Sequence, residues 1–571
     1  MGVGGVYPPL IQQEGCRCFD RTVLAVLSNG PGRCVVCAIA LEGALEKPGF
    51  KEEAATDRLR FAAWITIAIC GIAVFYGNLR FGRNVLAIGL EDDFFYYAQA
   101  ANNLALHGLS SFDGVHLTNG YHPLWMLVIT GLLKLFGAGG TPGITSVTPF
   151  AVALETVQLV LVLAIAFFVY RVVRVFCGTL VSVGIQLLVT SWALVLVRTG
   201  MEVGLALAFA LALLWFRLRK EFAWTLRSCF LYGLLASAMV LSRLDTMLLV
   251  AMLFVLDVVP NAGRGKARLA GCLLFCIGMW PVAVYWGINQ AVFHTLMPIS
   301  GTAKQLRAHH LPSLVALRAF VGYIAAKNSP LLGPAIALTL LALAWIVFGK
   351  MRRHPAGGVL VAVLLFPVLH LLVISSLSDW PLWQWYLYPW LLASVAASAV
   401  MFAKQEEGSS LTTWADSRIF VLLCGAFLVA DAMSVALLSN PRNNLPYVAA
   451  LEIRGFAQEH PGIYAMGDRA GTVGYLSGRP VVQLEGLMMD RDFLENIRQR
   501  RDLLEVLRSY EVRYYISTRA VQDAEGCWKV KEPWQAGEDS PAMSGRICRQ
   551  PVAVFSHGRF VNDIFDLQAA P

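Results

Sequence analysis

Charged side chains are scarce in this chain: Asp, Glu, Lys and Arg make up 15% of its 571 residues, against 57% hydrophobic types. Soluble domains carry about 25% charged residues. The shortage, with a mean hydropathy of +0.59, excludes a water-soluble enzyme and requires many segments to face lipid. Basic clusters interleaved with exposed aromatics are missing too. The formal charge of +8 is accounted for by short basic loops, so a nucleic-acid partner is excluded. Residues 1–57 lack the charged, apolar, small-residue order of a secretory signal and are expected to form a cytoplasmic extension. Their Cys16, Cys18, Cys34 and Cys37 have zinc-like spacing, but we read the segment as a loose tail or an over-long start and place no function there.

What the chain has instead is apolar length. About 20 residues cross roughly 30 Å of hydrocarbon, and runs of that kind lie near 60–79, 150–170, 179–197, 202–217, 268–290, 331–349, 357–377, 385–402 and 418–438. Two are irregular. The 122–136 run is short, and 228–259 carries Arg243 and Asp245 at its middle, which predicts two short helices meeting at one membrane surface. The expectation is an all-α polytopic domain over 58–440 with about ten to thirteen transmembrane helices and a first outer loop at 81–121. The basic loops at 216–227, 261–269 and 349–354 belong on the cytoplasmic side. They put the 291–330 loop, the 378–389 stretch and everything after 440 outside. Arg171 and Arg174 fit an outer acidic segment only if the 122–136 helix re-enters without crossing, and the sequence leaves that parity open.

Residues 441–571 change character, alternating strand-like runs (463–468, 481–486, 512–517) with an amphipathic run at 493–510. This predicts a small extracytoplasmic α/β domain large enough for its own core. It holds no glycine loop of the Walker or dinucleotide type. Cys527 and Cys548 fall on the side where oxidation is permitted, so a disulfide between them is allowed and the sequence leaves their pairing open; the cysteines of the apolar spans read as packing.

The most informative stretch is Glu91 to Trp125. Glu91, Asp92 and Asp93 repel one another and lose hydration beside a bilayer, so at least one should have a raised pKa or a bound cation. Further on, Glu202, Arg243, Asp245, Lys304, Tyr386 and Tyr388 interrupt apolar surroundings, where ionisable groups are costly. Each has a structural explanation: a buried Arg243–Asp245 pair, Glu202 at a helix N-terminus, an interfacial aromatic belt. Their convergence on the side that carries Asp92 and Asp93 favours a common site.

These residues carry a resemblance. The acidic D-D-x-F-Y-Y opening (Asp92 to Tyr97), A-x-N (Ala101 to Asn103), TNGYHPLW (118–125), GMEVGL (200–205), SRLD (242–245), P-x-S-x-x-x-K (Pro298 to Lys304) and WYLYP (385–389) resemble, in that order, the GT-C glycosyltransferases. Among these are mycobacterial arabinofuranosyltransferases, protein mannosyltransferases and the aminoarabinose transferase of lipid A. The likeness spans about 60–520, and its most specific part is the acidic pair with GYHPLW. It implies a polyprenyl-phosphate sugar donor lying along the membrane lipids and a glycan, lipid or protein acceptor on the outer face of the plasma membrane. Transfer would be an inverting single displacement with an acidic base. That role falls to Asp92 first and Asp93 second. The donor phosphate falls to Lys304 and Arg243, assisted by Tyr386, and the substrate-lining positions are Glu202, Asn119, Tyr121, His122 and Asp245. A divalent cation at the adjacent acids stays open. The competing classes are a surface-polysaccharide ligase or polymerase and a lipid-linked glycan transporter; the chain shows no internal repeat of the kind transporters are built from.

Overall fold

The computed structural model describes residues 48–77, 84–137, 147–307, 311–325, 330–348, 355–403, 417–438, 440–534, 540–558 and 560–568. The four N-terminal cysteines and the basic 349–354 loop lie outside these. Residues 59–571 make one compact unit and residues 1–58 another.

Among the described residues six helices are long and apolar enough to cross a membrane: Ala55–Tyr76, Pro149–Arg174, Thr179–Arg198, Leu244–Asn261, Gly357–Leu377 and Arg418–Leu437. Gly265–Gly278 and Trp280–Phe293 form a further pair bent by 44°, and Pro281 explains the bend, since it lacks the amide that would continue the first helix. Shorter apolar helices span Pro123–Phe136, Val203–Leu218, Leu226–Ser242, Leu314–Ile324 and Leu332–Phe348. The chain is a multi-pass, mainly helical membrane protein. Its helices approach closely where glycines face backbone: a Cβ on Gly233, Gly278 or Gly358 would lie 2.1, 2.4 or 2.0 Å from the carbonyl oxygens of Phe275, Phe230 and Leu256. Such contact supplies the dispersion that drives helix association in lipid.

Of two apolar runs, one breaks where the sequence reading put the break and one is shorter than read. The 228–259 run does break at Arg243, whose extended backbone (φ −155°) separates Leu226–Ser242 from the next helix. The 385–402 run is helical only over Tyr388–Met401 and is buried along all but its last residue. A helix apolar on every side suits a protein core as well as lipid, so hydropathy alone cannot separate the two.

The α/β part opens with a helix, Leu445–Glu459, capped by the Asn444 side chain, which accepts the Tyr447 amide proton. The strands are β1 (Ile463–Met466), β2 (Val481–Gln483), β3 (Val512–Ser517), β4 (Val521–Gln522), β5 (Trp528–Glu532), β6 (Met543–Ile547), β7 (Ala553–His557) and β8 (Phe560–Asp566). The main sheet runs β2-β1-β3-β8-β7, with β1 parallel to β2 and β3, and β8 antiparallel to β3 and β7. A second, antiparallel sheet is β4-β5-β6. Cys527 and Cys548 are joined as a disulfide at the end of the β5–β6 ladder. The amphipathic 493–510 run is two helices, Arg491–Arg498 and Leu503–Ser509. Arg500 turns between them at φ 52°, and Asp502 caps the second by accepting the amide protons of Leu504 and Glu505.

This part is interlocked with the first loop of the helical part. Phe95 packs on Tyr447 and Tyr475, Asn84 Nδ2 donates to the Tyr447 hydroxyl at 2.9 Å, and Ser540 Oγ donates to Asp379 at 2.8 Å. Glycines set the closest approaches: a Cβ on Gly474 would meet the Phe112 ring at 2.4 Å, and one on Gly120 would meet the Leu487 carbonyl oxygen at 1.9 Å. Backbone against backbone cannot relax by a rotamer change. Gly120→Ala is therefore expected to cost about 1–3 kcal/mol by overpacking, read as a lower melting temperature in detergent. Gly131→Ala, in a helix where a Cβ meets nothing within 4 Å, should be neutral or stabilising; equal melting of the two variants would refute the tight seam.

Candidate functional site

The site is built on the helix Asp92–His107, whose first turn holds both acids. Glu91 precedes it, donates its amide proton to the Thr199 carbonyl, and accepts from Gln384 Nε2 at 2.7 Å. The acidic opening is thus tied both to the RTGMEV segment and to WQWYLYP. Asp92 and Asp93 have opposite surroundings. Asp92 turns to the α/β part: Oδ1 accepts from the Thr472 amide at 2.8 Å and from its hydroxyl at 2.5 Å, and Oδ2 accepts from the Gly471 amide at 3.1 Å. It caps the helix Ala470–Ser477, and a Cβ on Gly471 would strike the Asp92 carbonyl oxygen at 2.3 Å. Asp93 turns into the polar centre. Its carboxyl is raised to about 7, by burial first; the Lys304 ammonium opposes the rise, and Asp92, Glu91 and Glu202 add to it.

Behind Asp93 lies a chain of alternating charges. Arg243, 2% exposed, donates from Nη1 to Glu202 Oε1 at 2.5 Å and from Nε to the Asp245 carboxylate at 3.0 Å. Asp245 also meets His370 Nε2 at 2.9 Å and accepts from the Tyr388 hydroxyl at 2.9 Å. The guanidinium lies over the rings of Tyr386 and Tyr388. Glu202 accepts from the Tyr97 hydroxyl at 3.0 Å, and that oxygen accepts the His122 amide proton at 3.2 Å. His122 Nδ1 accepts from the Leu244 amide at 3.1 Å. Its proton therefore resides on Nε2, 3.4 Å from Glu202 Oε1, the tautomer being fixed by the partner of the other nitrogen. The Trp125 indole donates to the Gly200 carbonyl at 2.9 Å, which pins GYHPLW to GMEVGL.

Lys304 ends the short helix Ile299–Lys304. That helix is seated by Asn119, whose Oδ1 accepts the Ile299 amide proton at 3.0 Å. The ammonium donates to the Tyr386 hydroxyl at 3.3 Å and lies 5.7 Å from the Trp380 ring centre. Burial works against its charge, but Tyr386 and Asp93 outweigh burial and hold its pKa above the ordinary lysine value. Beside Tyr386 and His370 lies a small cavity of about 10 Å³, walled otherwise by Phe320, Pro367, Leu382 and Trp390.

The motifs that the sequence singled out are thus brought together, but several residues are placed differently from their sequence roles. Asp92, ranked first as base, has both oxygens occupied by the α/β part. Arg243, read as a phosphate ligand, has its fork taken up by two carboxylates and is buried. Glu202, read as a substrate or cation ligand, is 1% exposed and serves as the acceptor for Tyr97 and Arg243. Tyr121 bonds to Ser110 Oγ at 2.5 Å and braces the loop. The sequence reading missed Tyr97, His370, Gln384 and Glu485. His370, a lone histidine amid LLFPVLHLLV, was legible as a costly polar group in an apolar span; Tyr97 closes the D-D-x-F-Y-Y motif and Gln384 lies in the 378–389 stretch, though neither was given a role, and Glu485 carries no local signal. Among the described residues no three His, Cys, Asp or Glu side chains converge on a point that holds a metal ion.

No protein-family model matches the chain, and no curated protein does. Solved structures do. ArnT from Cupriavidus metallidurans, bound to undecaprenyl phosphate, is 11% identical, with 87% of this chain and 98% of that chain covered at a TM-score of 0.51. The apo oligosaccharyltransferase of Archaeoglobus fulgidus is 11% identical, with 80% and 69% covered at a TM-score of 0.47. On the likeness to ArnT, this chain has the fold of the GT-C membrane glycosyltransferases.

Proposed function

We propose, from that fold, that the protein transfers a sugar from a polyprenyl phosphate to an envelope glycan, lipid or protein, on the membrane face that carries the α/β part. In a bacterial inner membrane that is the periplasmic face. The observation that carries this reading is the pairing of Asp93 with Lys304: a buried carboxyl raised to about 7 that interacts with an ammonium held charged by Tyr386 and by Asp93 itself. The acceptor hydroxyl attacks the anomeric carbon and gives its proton to the Asp93 carboxylate as the new C–O bond forms. The bond from that carbon to the phosphate oxygen breaks, the polyprenyl phosphate leaves with the electron pair, and the sugar inverts. Lys304 meets the charge on the leaving phosphate and the Tyr386 hydroxyl donates to it. ArnT, which shares the fold, is bound to undecaprenyl phosphate, a carrier of the kind proposed.

The test is transfer in reconstituted vesicles from a panel of radiolabelled polyprenyl-phosphate sugars to membrane and envelope acceptors. Transfer by the wild type that falls steeply in Lys304→Met at equal abundance supports the reading. A wild type that transfers from no lipid donor but moves a lipid-linked glycan across the bilayer replaces it with a transporter.

A further inference from the structure

Two buried polar atoms at the seam between the first loop and the α/β part lack a partner. Asn119 is 1% exposed and Glu485 is 3% exposed, yet Asn119 Nδ2 and Glu485 Oε1 each make no hydrogen bond. Such groups cost the fold free energy unless something satisfies them.

Neither has a free choice of orientation. Asn119 Oδ1 is engaged by the Ile299 amide, so its NH2 points away from that helix. Gln483 Oε1 accepts the Leu487 amide proton at 2.8 Å, which leaves Gln483 Nε2 to donate to Glu485 Oε2 at 3.2 Å and to the Tyr96 hydroxyl at 3.4 Å. Tyr96 lies three residues after Asp93, on the same helix face. Glu485 is therefore fastened to the face that presents Asp93, and the segments bearing the two unpartnered atoms meet where Gly120 abuts Leu487. Burial, with Asp468, Glu532 and Asp93 nearby, raises the Glu485 carboxyl well above its ordinary value. The shift favours the protonated form, which has an O–H to donate as well as an oxygen to accept.

We propose that Asn119 and Glu485 form a subsite for a sugar hydroxyl of the donor or the acceptor, with the Asn119 amide donating to the hydroxyl oxygen and the Glu485 carboxyl exchanging a hydrogen bond with it. The α/β part then forms a wall of the catalytic centre. This rests on the glycosyltransferase reading for the identity of the ligand.

The test compares Glu485→Met, Glu485→Gln and Asn119→Ala for transfer kinetics and for melting in detergent, with and without a panel of methyl glycosides. Glu485→Met removes a buried carboxyl whose Oε1 is unpartnered at similar volume, at the expense of the Gln483 hydrogen bond to Oε2, so its melting temperature is expected to stay near that of wild type while kcat/KM falls about tenfold or more. Glu485→Gln reproduces the donor and acceptor of a neutral acid and should stay within a few-fold of wild type. A loss appearing in the KM for the lipid donor assigns the hydroxyl to the donor sugar, and one in the KM for the acceptor assigns it there. Glu485→Met transferring like wild type, or losing activity only in step with melting temperature, overturns the subsite while wild-type transfer stands. Should the wild type transfer from no donor, a methyl glycoside that stabilises it but neither Glu485→Met nor Asn119→Ala would uphold the subsite and reject the reaction; failure of every glycoside to do so would reject both.

Discussion

Asp93→Asn is expected to reduce sugar transfer by roughly 10²- to 10⁴-fold, the contribution of a positioned base, with abundance and melting temperature unchanged. Asparagine is nearly isosteric and removes a charge that burial already disfavours, and the Lys304 ammonium, which loses Asp93, keeps Tyr386, so the fold has little to lose. The pH dependence follows with a definite sign. The base acts only when ionised, and its pKa is raised to about 7; wild-type kcat/KM should therefore climb through pH 7 and level off above it. Lys304 is the cation that holds this pKa down, so residual activity of Lys304→Met should rise only at higher pH than wild type. Asp92→Asn should behave otherwise. It exchanges for an amide one of the oxygens that accept from Gly471 and Thr472, which is expected to cost about 1–3 kcal/mol and to loosen the α/β part while sparing more of the chemistry. A profile flat from pH 5 to 8, or an Asp93→Asn variant as active as wild type, removes Asp93 from the role of base.

The difference between these neighbours shows where sequence reading stops. That an acid near Asp92 would have a perturbed pKa was legible from three carboxylates beside a bilayer. Burial raises the pKa of all three acids; which of them is held by the α/β part depends on Thr472, 380 residues away, and no spacing rule carries that contact. The membrane domain was legible for the opposite reason: about 20 apolar residues per crossing is a local requirement. It failed to discriminate only where lipid and protein interior look alike, as in Tyr388–Met401. The polar residues inside apolar runs were legible because they are costly there, yet cost does not reveal partner. Arg243 suited a phosphate as well as it suits Glu202 and Asp245, and only the three-dimensional arrangement chooses. Glu485 had no signal at all, because a glutamate in a polar tail is ordinary until the fold buries it.

Arg243→Met should be the most damaging change to the fold itself. It leaves Glu202 with only Tyr97 and His122 and Asp245 with only His370 and Tyr388, and removing one partner of a buried ion pair typically costs about 3–5 kcal/mol because the remaining charge loses its compensation. The expected result is loss of monodisperse protein on size exclusion and a steep fall in melting temperature. Arg243→Lys keeps the charge but not the fork: one ammonium cannot reproduce bonds that leave from Nη1 and Nε in different directions, so an intermediate loss is expected. Combining Arg243→Met with Glu202→Gln and Asp245→Asn removes the stranded charges and should recover much of the stability, since groups in one network are not additive. The same series separates a strut from a phosphate ligand. A strut changes melting temperature first and activity in proportion, whereas a ligand for the donor phosphate would leave melting unchanged in Arg243→Lys and raise the KM for the lipid donor alone. The second pattern would return Arg243 to the phosphate, and Lys304 would then share that charge rather than bear it.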